Sequence, residues 1–97
     1  MTNANINIEE ATKLQAILDN LPPEAYEPGL PRRSFLGFKD GQPVGAYMVA
    51  LREAESEAAR GVHRTERRCI EFGLALSGLS AAAIGNVMAQ AAQSELQ

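Results

Sequence analysis

Apolar residues recur along the chain at the spacing of amphipathic helices. Between residues 8 and 21 they stand three or four positions apart, which places them on one helix face. Asn7 precedes this run as a helix cap, with Glu10 three residues further on as in a capping box. Pro22 and Pro23 cannot continue a helix. The pattern therefore predicts a first helix over residues 8–20.

The segment 22–42 interrupts this helical pattern. It holds four of the five prolines and three of the eight glycines. Connections of this length are uncommon in small domains, and those that occur often have a function. We expect an irregular loop with room for a short β element near residues 35–38. Its aromatic residues are candidates for contact with a partner or with the core: Tyr26, Phe35 and Phe38.

Two structures are compatible with the residues that follow this loop. Asp40-Gly41 is a typical hairpin turn and could join residues 35–38 to residues 44–49 as two strands. The same apolar residues also recur at helical spacing, and Gly61 suits the left-handed position after a last helical turn. We favour the helix, over residues 43–60, with a mixed-charge outer face exposed to solvent.

The last third of the chain contains a long run without charge, from residue 72 to residue 94. Gly78 divides it, so the pattern predicts a third helix over 63–77 and a fourth over 80–95, capped by Ser80. Scattered polar residues make the run too weakly apolar for a membrane span, and a buried helical hairpin is favoured. One face of the fourth helix consists of very small residues, which we predict to form an oligomer interface: Ala81, Gly85, Ala89 and Ala92.

The same run also matches the outline of a helix-turn-helix. Residues 70–77 would be its first helix, Gly78 its turn and residues 80–95 its second helix. A recognition helix needs side chains that reach bases or phosphates, and the start of this one carries only Ser, Ala, Gly and Asn. The net charge of -3 and the pI near 5.1 also argue against nucleic-acid binding.

The overall composition predicts one mainly helical domain over residues 1–97. The chain is too short for a second hydrophobic core, and 45% of its residues are hydrophobic. It has no Trp and many alanines, so its core must be built from small side chains that each remove little apolar area from water. Self-association would compensate for such a core.

Residue patterns for catalysis and cofactor binding are nearly absent. His63 and Cys69 would lie about 9 Å apart along a helix axis, too far for a thiolate-imidazole pair. His63 with Glu66 is at most half of a zinc site. No glycine-rich phosphate loop is present. We therefore predict no enzyme activity, no cofactor and no metal.

One cluster of basic residues does suggest binding. Its members recur at helical spacing near a helix N-terminus, a location that favours anions, and guanidinium groups suit phosphates and acidic surfaces. The cluster comprises Arg60, His63, Arg64, Arg67 and Arg68, and the loop residues Arg32 and Arg33 are expected to join it. In the alternative interpretation, these arginines pair with neighbouring glutamates: Glu53, Glu57, Glu66 and Glu71.

These patterns favour a non-enzymatic small binding protein, homo-oligomeric, that inhibits or regulates a larger partner protein through loop 22–42 and the arginine cluster. By analogy alone, its size and charge suit an accessory protein of the kind that phages and mobile elements encode. One alternative is an oligomer that binds a nucleotide or another anion at an arginine-lined site, and another is a DNA-binding regulator. A single Cys and an N-terminus without a signal-peptide pattern predict a cytoplasmic protein that does not bind membranes.

Overall fold

A computed structural model describes residues 7–95, and the predicted mainly helical fold is confirmed. The helices are α1 (Ile8–Asp19), α2 (Ala46–Ala59), α3 (Glu66–Leu76) and α4 (Ala81–Glu95). A short 3₁₀ turn (Pro23–Ala25) follows α1, and two strands, β1 (Gly37–Lys39) and β2 (Gln42–Val44), precede α2. The expectation that no signal peptide starts the chain concerns residues 1–6, which lie outside the described residues.

Most of the predicted helix ends are confirmed. The side-chain oxygen of Asn7 accepts a backbone N–H of the first turn of α1 at 3.1 Å, and the hydroxyl of Ser80 does the same for α4 at 3.1 Å. Gly61 and Gly78 follow α2 and α3 with φ angles of 88° and 103°. Residues with a side chain rarely adopt these angles, so glycine ends both helices.

The predicted start of the second helix at residue 43 is wrong, because residues 37–44 form the hairpin that was the alternative. β1 pairs antiparallel with β2 through the turn at Asp40 and Gly41, whose φ angles of 54° and 80° are those of a type I′ turn. Helix α2 begins only at Ala46. The strong local preference of the Asp-Gly turn decides the structure of residues 37–44 over their weaker helical spacing.

The predicted start of the third helix at residue 63 is also wrong. Thr65 caps α3 by accepting the backbone N–H of Arg68 at 3.1 Å, so the helix begins at Glu66. The residues between α2 and α3 form an exposed connection instead of a helical turn.

Backbone hydrogen bonds anchor the long loop at both of its ends. Glu27 donates its N–H to the carbonyl of Gly78 at 2.8 Å, and Arg33 donates to Ser77 at 3.2 Å. At the other end, the carbonyl of Phe35 accepts the N–H of Tyr47 at 2.9 Å, in the first turn of α2. The loop is therefore attached to the α3–α4 connection and to the start of α2, and it is exposed between these attachments.

The core forms where α2 packs on α3 and α1 packs on α4, with Phe35 at its centre. The Phe35 ring lies 5.2 Å from the ring of Tyr47. A Cβ on Gly73 would lie only 2.9 Å from the Phe35 ring and 3.3 Å from the Tyr47 Cα, so α2 and α3 approach closely at this glycine. At Gly85, on the face of α4 that is predicted to form an oligomer interface, a Cβ would meet nothing within 4 Å in the single chain.

Within residues 7–95 no helix has both the length and the apolar content needed to cross a membrane.

Candidate functional site

The predicted basic site residues lie at two opposite ends of α3. Arg64, Arg67 and Arg68 are at its N-terminal end, whereas the backbone of Arg32 and Arg33 adjoins Ser77 and Gly78 beyond its C-terminal end. At 1.5 Å per residue, about 14 Å of helix separates the two groups. The expectation that the loop arginines join the cluster is therefore not met.

At the N-terminal end, Arg64 links the two helices that it lies between. Its Nε and a terminal nitrogen donate to the two carboxylate oxygens of Glu57 on α2, at 2.5 and 3.0 Å. The guanidinium also stacks over the Phe72 ring of α3, 4.8 Å from its centre. Hydrogen bonding between the pair lowers the pKa of Glu57 and raises the pKa of Arg64. Because these contacts occupy it, Arg64 is a poor candidate for binding a separate ligand.

The other members of the basic cluster are also dispersed or paired. Arg67 and Arg68 both approach the Glu71 carboxylate, at 3.4 and 3.9 Å. Arg60 ends α2, and His63 is exposed in the connection. The single helical stripe that their spacing predicted does not form, because α2 ends before these residues and α3 begins only at Glu66. The structure instead pairs Arg64, Arg67 and Arg68 with glutamates, as the alternative interpretation predicted.

A cavity of about 240 Å³ lies beside Arg64, between α2 and α3. It is lined by Tyr47, Leu51, Ala54, Arg64, Thr65, Glu66 and Cys69. Burial raises the pKa of the Cys69 thiol, which keeps it protonated and unreactive. In the described part of the chain, no group of three or more His, Cys, Asp or Glu side chains is placed to hold a metal ion.

The three predicted loop aromatics have different environments. Phe35 is fully buried in the core. Tyr26 is half-buried beneath the guanidinium of Arg32, which lies 4.3 Å from the ring centre. Phe38 alone is largely exposed, at 59%. It is therefore the aromatic residue of the loop that is available to a partner.

The loop and hairpin together present apolar and basic side chains to solvent. Leu30 is 53% exposed, and Val44 is exposed as well. Arg33 and Lys39 are exposed and form no ion pair with any residue of the range 7–95. We call this set of residues the loop–hairpin surface: Leu30, Arg33, Phe38, Lys39 and Val44. Between residues 28 and 44 the chain has three cations and one acid, although its net charge is -3.

The hairpin that carries Phe38 is held in place and protected at its edges. Phe38 pairs with Pro43 across the strands, and Pro43 has no N–H to offer to another strand. Just before β1, the N–H of Leu36 donates to the side-chain oxygen of Gln15 on α1 at 2.9 Å. These features oppose strand addition at the β2 edge and just before β1, which favours partner contacts through side chains.

Sequence reasoning missed three members of the loop–hairpin surface: Leu30, Lys39 and Val44. Lys39 directly precedes the Asp-Gly turn, and this turn was the available signal, because residues beside a hairpin turn are exposed. The predicted interface residues on α4 (Ala81, Gly85, Ala89 and Ala92) are all exposed in the single chain. No helix within residues 7–95 covers them.

No protein-family model, curated protein or solved structure matches this chain.

Proposed function

We propose that this chain is a non-enzymatic binding protein that regulates a larger partner protein through the loop–hairpin surface. The observation that carries the proposal is the exposed Phe38, held on an anchored hairpin in a segment that also has two exposed cations, Arg33 and Lys39, without an ion pair among the described residues. Aromatic and arginine side chains are typical of the few residues that supply most of the energy at protein interfaces.

The anchoring of the hairpin backbone supports this proposal. A segment whose backbone is already held in one conformation loses less conformational entropy on association. Arg33 and Lys39 would attract a partner with an acidic surface and increase the association rate. The arginines near α3 contribute less to the proposed interface, since Arg64, Arg67 and Arg68 are engaged by glutamates.

The proposal includes self-association through α4. The exposed positions of this helix from Ala81 to Gln93 have no charged side chain, and depletion of charge is a feature of interface cores. A dimer built on this face would display two copies of the loop–hairpin surface.

The two alternative functions have less support. At the α3 arginines, a nucleotide would need a larger pocket than the adjoining cavity of about 240 Å³, because ligand sites usually occupy about 300–1,000 Å³. DNA recognition would require α4 to begin with side chains that reach bases, and its exposed first residues are Ala81 and Ala82.

The proposed function is tested by affinity capture from a lysate of the native host with matched variants as bait. We expect Phe38→Ser and Lys39→Glu to lose a protein that the wild type retains, because they remove the aromatic anchor and reverse a cation. The controls are Val62→Ser and Arg60→Glu, since Val62 is similarly exposed, at 54%, but lies beyond the far end of α2. Equal capture by all five baits, or no specific capture by the wild type, would contradict the proposal.

A further inference from the structure

The cavity between α2 and α3 combines an apolar wall with buried polar groups. Leu51 and Ala54 line it from α2, and Cys69 lines it from α3. Its volume of about 240 Å³ far exceeds the roughly 10–15 Å³ that one water molecule needs by a comparable measure. The cavity therefore has room for a small organic molecule, although it is below the size of most cofactor sites.

Tyr47 is the main polar group of this cavity. It is only 2% exposed, and its hydroxyl oxygen accepts the backbone N–H of Asn7 at 3.0 Å. Its own O–H, however, donates to no residue in the range 7–95, and neither does the buried thiol of Cys69. Buried donors almost always have an acceptor. Tyr47 therefore brings to this cavity a buried hydroxyl whose proton has no acceptor in the range 7–95, and an acceptor atom of a bound molecule would satisfy it.

The charges around Tyr47 indicate that this molecule is neutral. Burial raises the pKa of Tyr47, the hydrogen bond from Asn7 partly opposes this, and Cys69, Glu66 and Glu10 add smaller increases, so its hydroxyl stays protonated. Arg64 lines the cavity but is occupied by Glu57. An anion would meet the Glu66 carboxylate, which lines the cavity, without gaining a free guanidinium.

We infer that the cavity binds a small neutral molecule whose carbonyl or hydroxyl oxygen accepts a hydrogen bond from Tyr47. Its apolar part packs against Leu51 and Ala54. The site is separate from the loop–hairpin surface and does not depend on the proposed function.

The test is an NMR titration of the full chain with three probes of nearly equal shape: benzamide, benzoate and toluene. Benzamide is neutral with an acceptor, benzoate is an anion and toluene has no acceptor. We expect saturable shifts at residues lining the cavity with benzamide, and weaker binding of the other two. Tighter binding of benzoate, or no saturable shift with benzamide, would overturn the inference.

Two variants assign the effect to the cavity. Tyr47→Phe should weaken benzamide binding roughly fivefold, which corresponds to the loss of one neutral hydrogen bond. Ala54→Leu should fill the cavity and abolish binding, whereas Ala59→Leu, on an exposed position of the same helix, should leave it unchanged. Unchanged affinity in both cavity variants, with the fold verified by circular dichroism, would show that the probe binds elsewhere and would overturn the inference.

Discussion

Gly45 and Gly73 allow the loop to approach the helices at distances that no larger residue permits. A Cβ on Gly45 would lie 2.7 Å from the carbonyl oxygen of Phe35, and one on Gly73 would lie 2.9 Å from the Phe35 ring. Because Phe35 is fully buried, its ring has little freedom to move away. These glycines therefore hold Phe35 in the core and, through it, hold the hairpin that carries Phe38.

Substituting two helix glycines by alanine should have opposite effects on stability. Gly73→Ala should lower the free energy of unfolding by about 1–3 kcal/mol, because the added methyl group overpacks the contact with Phe35. Gly85→Ala should raise it by about 0.5–1 kcal/mol, because the site is open and alanine favours the helix. Urea denaturation measures both, and a Gly73→Ala protein as stable as wild type would contradict the packing described at Phe35.

The Arg64–Glu57 pair predicts a pH-dependent contribution to stability. The pKa of Glu57 is lowered in the folded chain, so the stabilisation is present above its unfolded pKa of about 4.3 and is lost as the pH falls through the lower folded value. Arg64→Gln should therefore reduce the melting temperature at pH 7 and have less effect below pH ~4. Arg52→Gln is the control, since Arg52 is exposed on α2 and forms no ion pair with the described residues. An Arg64→Gln effect that is equal at both pH values would contradict the role of the ion pair.

At the scale of elements, the sequence predicted four helices and most of their ends, because caps and glycine stops are local signals. Asn7, Ser80 and Gly78 act as the pattern indicated. The starts of α2 and α3 were wrong because periodicity alone cannot distinguish a helix from an adjoining hairpin or connection. The Thr65 cap was the missed signal for α3.

The prediction of the site was less accurate than the prediction of the fold, and the reason is physical. Helical spacing places arginines on one face only if the helix is continuous, and the chain between α2 and α3 is not helical. Cavities depend on contacts between distant segments, so Tyr47 and Cys69 could not be assigned to one site from their spacing. Exposure of Phe38 likewise depends on the hairpin that residues 37–44 form.

The turn of the hairpin offers a prediction at this scale. Gly41 has a φ of 80°, so Gly41→Ala should strain the turn and loosen the hairpin while leaving the helices intact. Gly37→Ala is the matched control, because a Cβ there would meet only Val44 at an ordinary 3.8 Å. NMR contacts between β1 and β2 should weaken in the first variant alone, with unchanged helical circular dichroism. A Gly41→Ala protein with all cross-strand contacts would contradict the assigned turn.

At the scale of the whole molecule, two exposed surfaces lack a partner within the described chain. The loop–hairpin surface is apolar and basic, and the exposed face of α4 is small and uncharged. In a third region, the N-terminal end of α3, the charges of Arg64, Arg67 and Arg68 are paired with Glu57 and Glu71. This division separates a proposed partner-binding surface from a proposed self-association surface.

Self-association through α4 is tested by the mass of the protein in solution. We expect light scattering to give an oligomer for the wild type and a shift toward monomer or aggregate for Gly85→Leu, because a large side chain prevents close contact at a small-residue face. Ser56→Leu adds the same side chain at an exposed position of α2 and should keep the wild-type mass. If Gly85→Leu also keeps it, α4 is not the interface.

Hydrogen exchange of the captured complex tests the central claim most directly. The free protein and its complex with the captured partner are compared by amide exchange, segment by segment. Binding through the loop–hairpin surface predicts that added protection concentrates in residues 28–44, with little change in residues 60–68. Protection concentrated around Arg64, or on α4 with none in residues 28–44, would contradict the claim that this surface binds the partner.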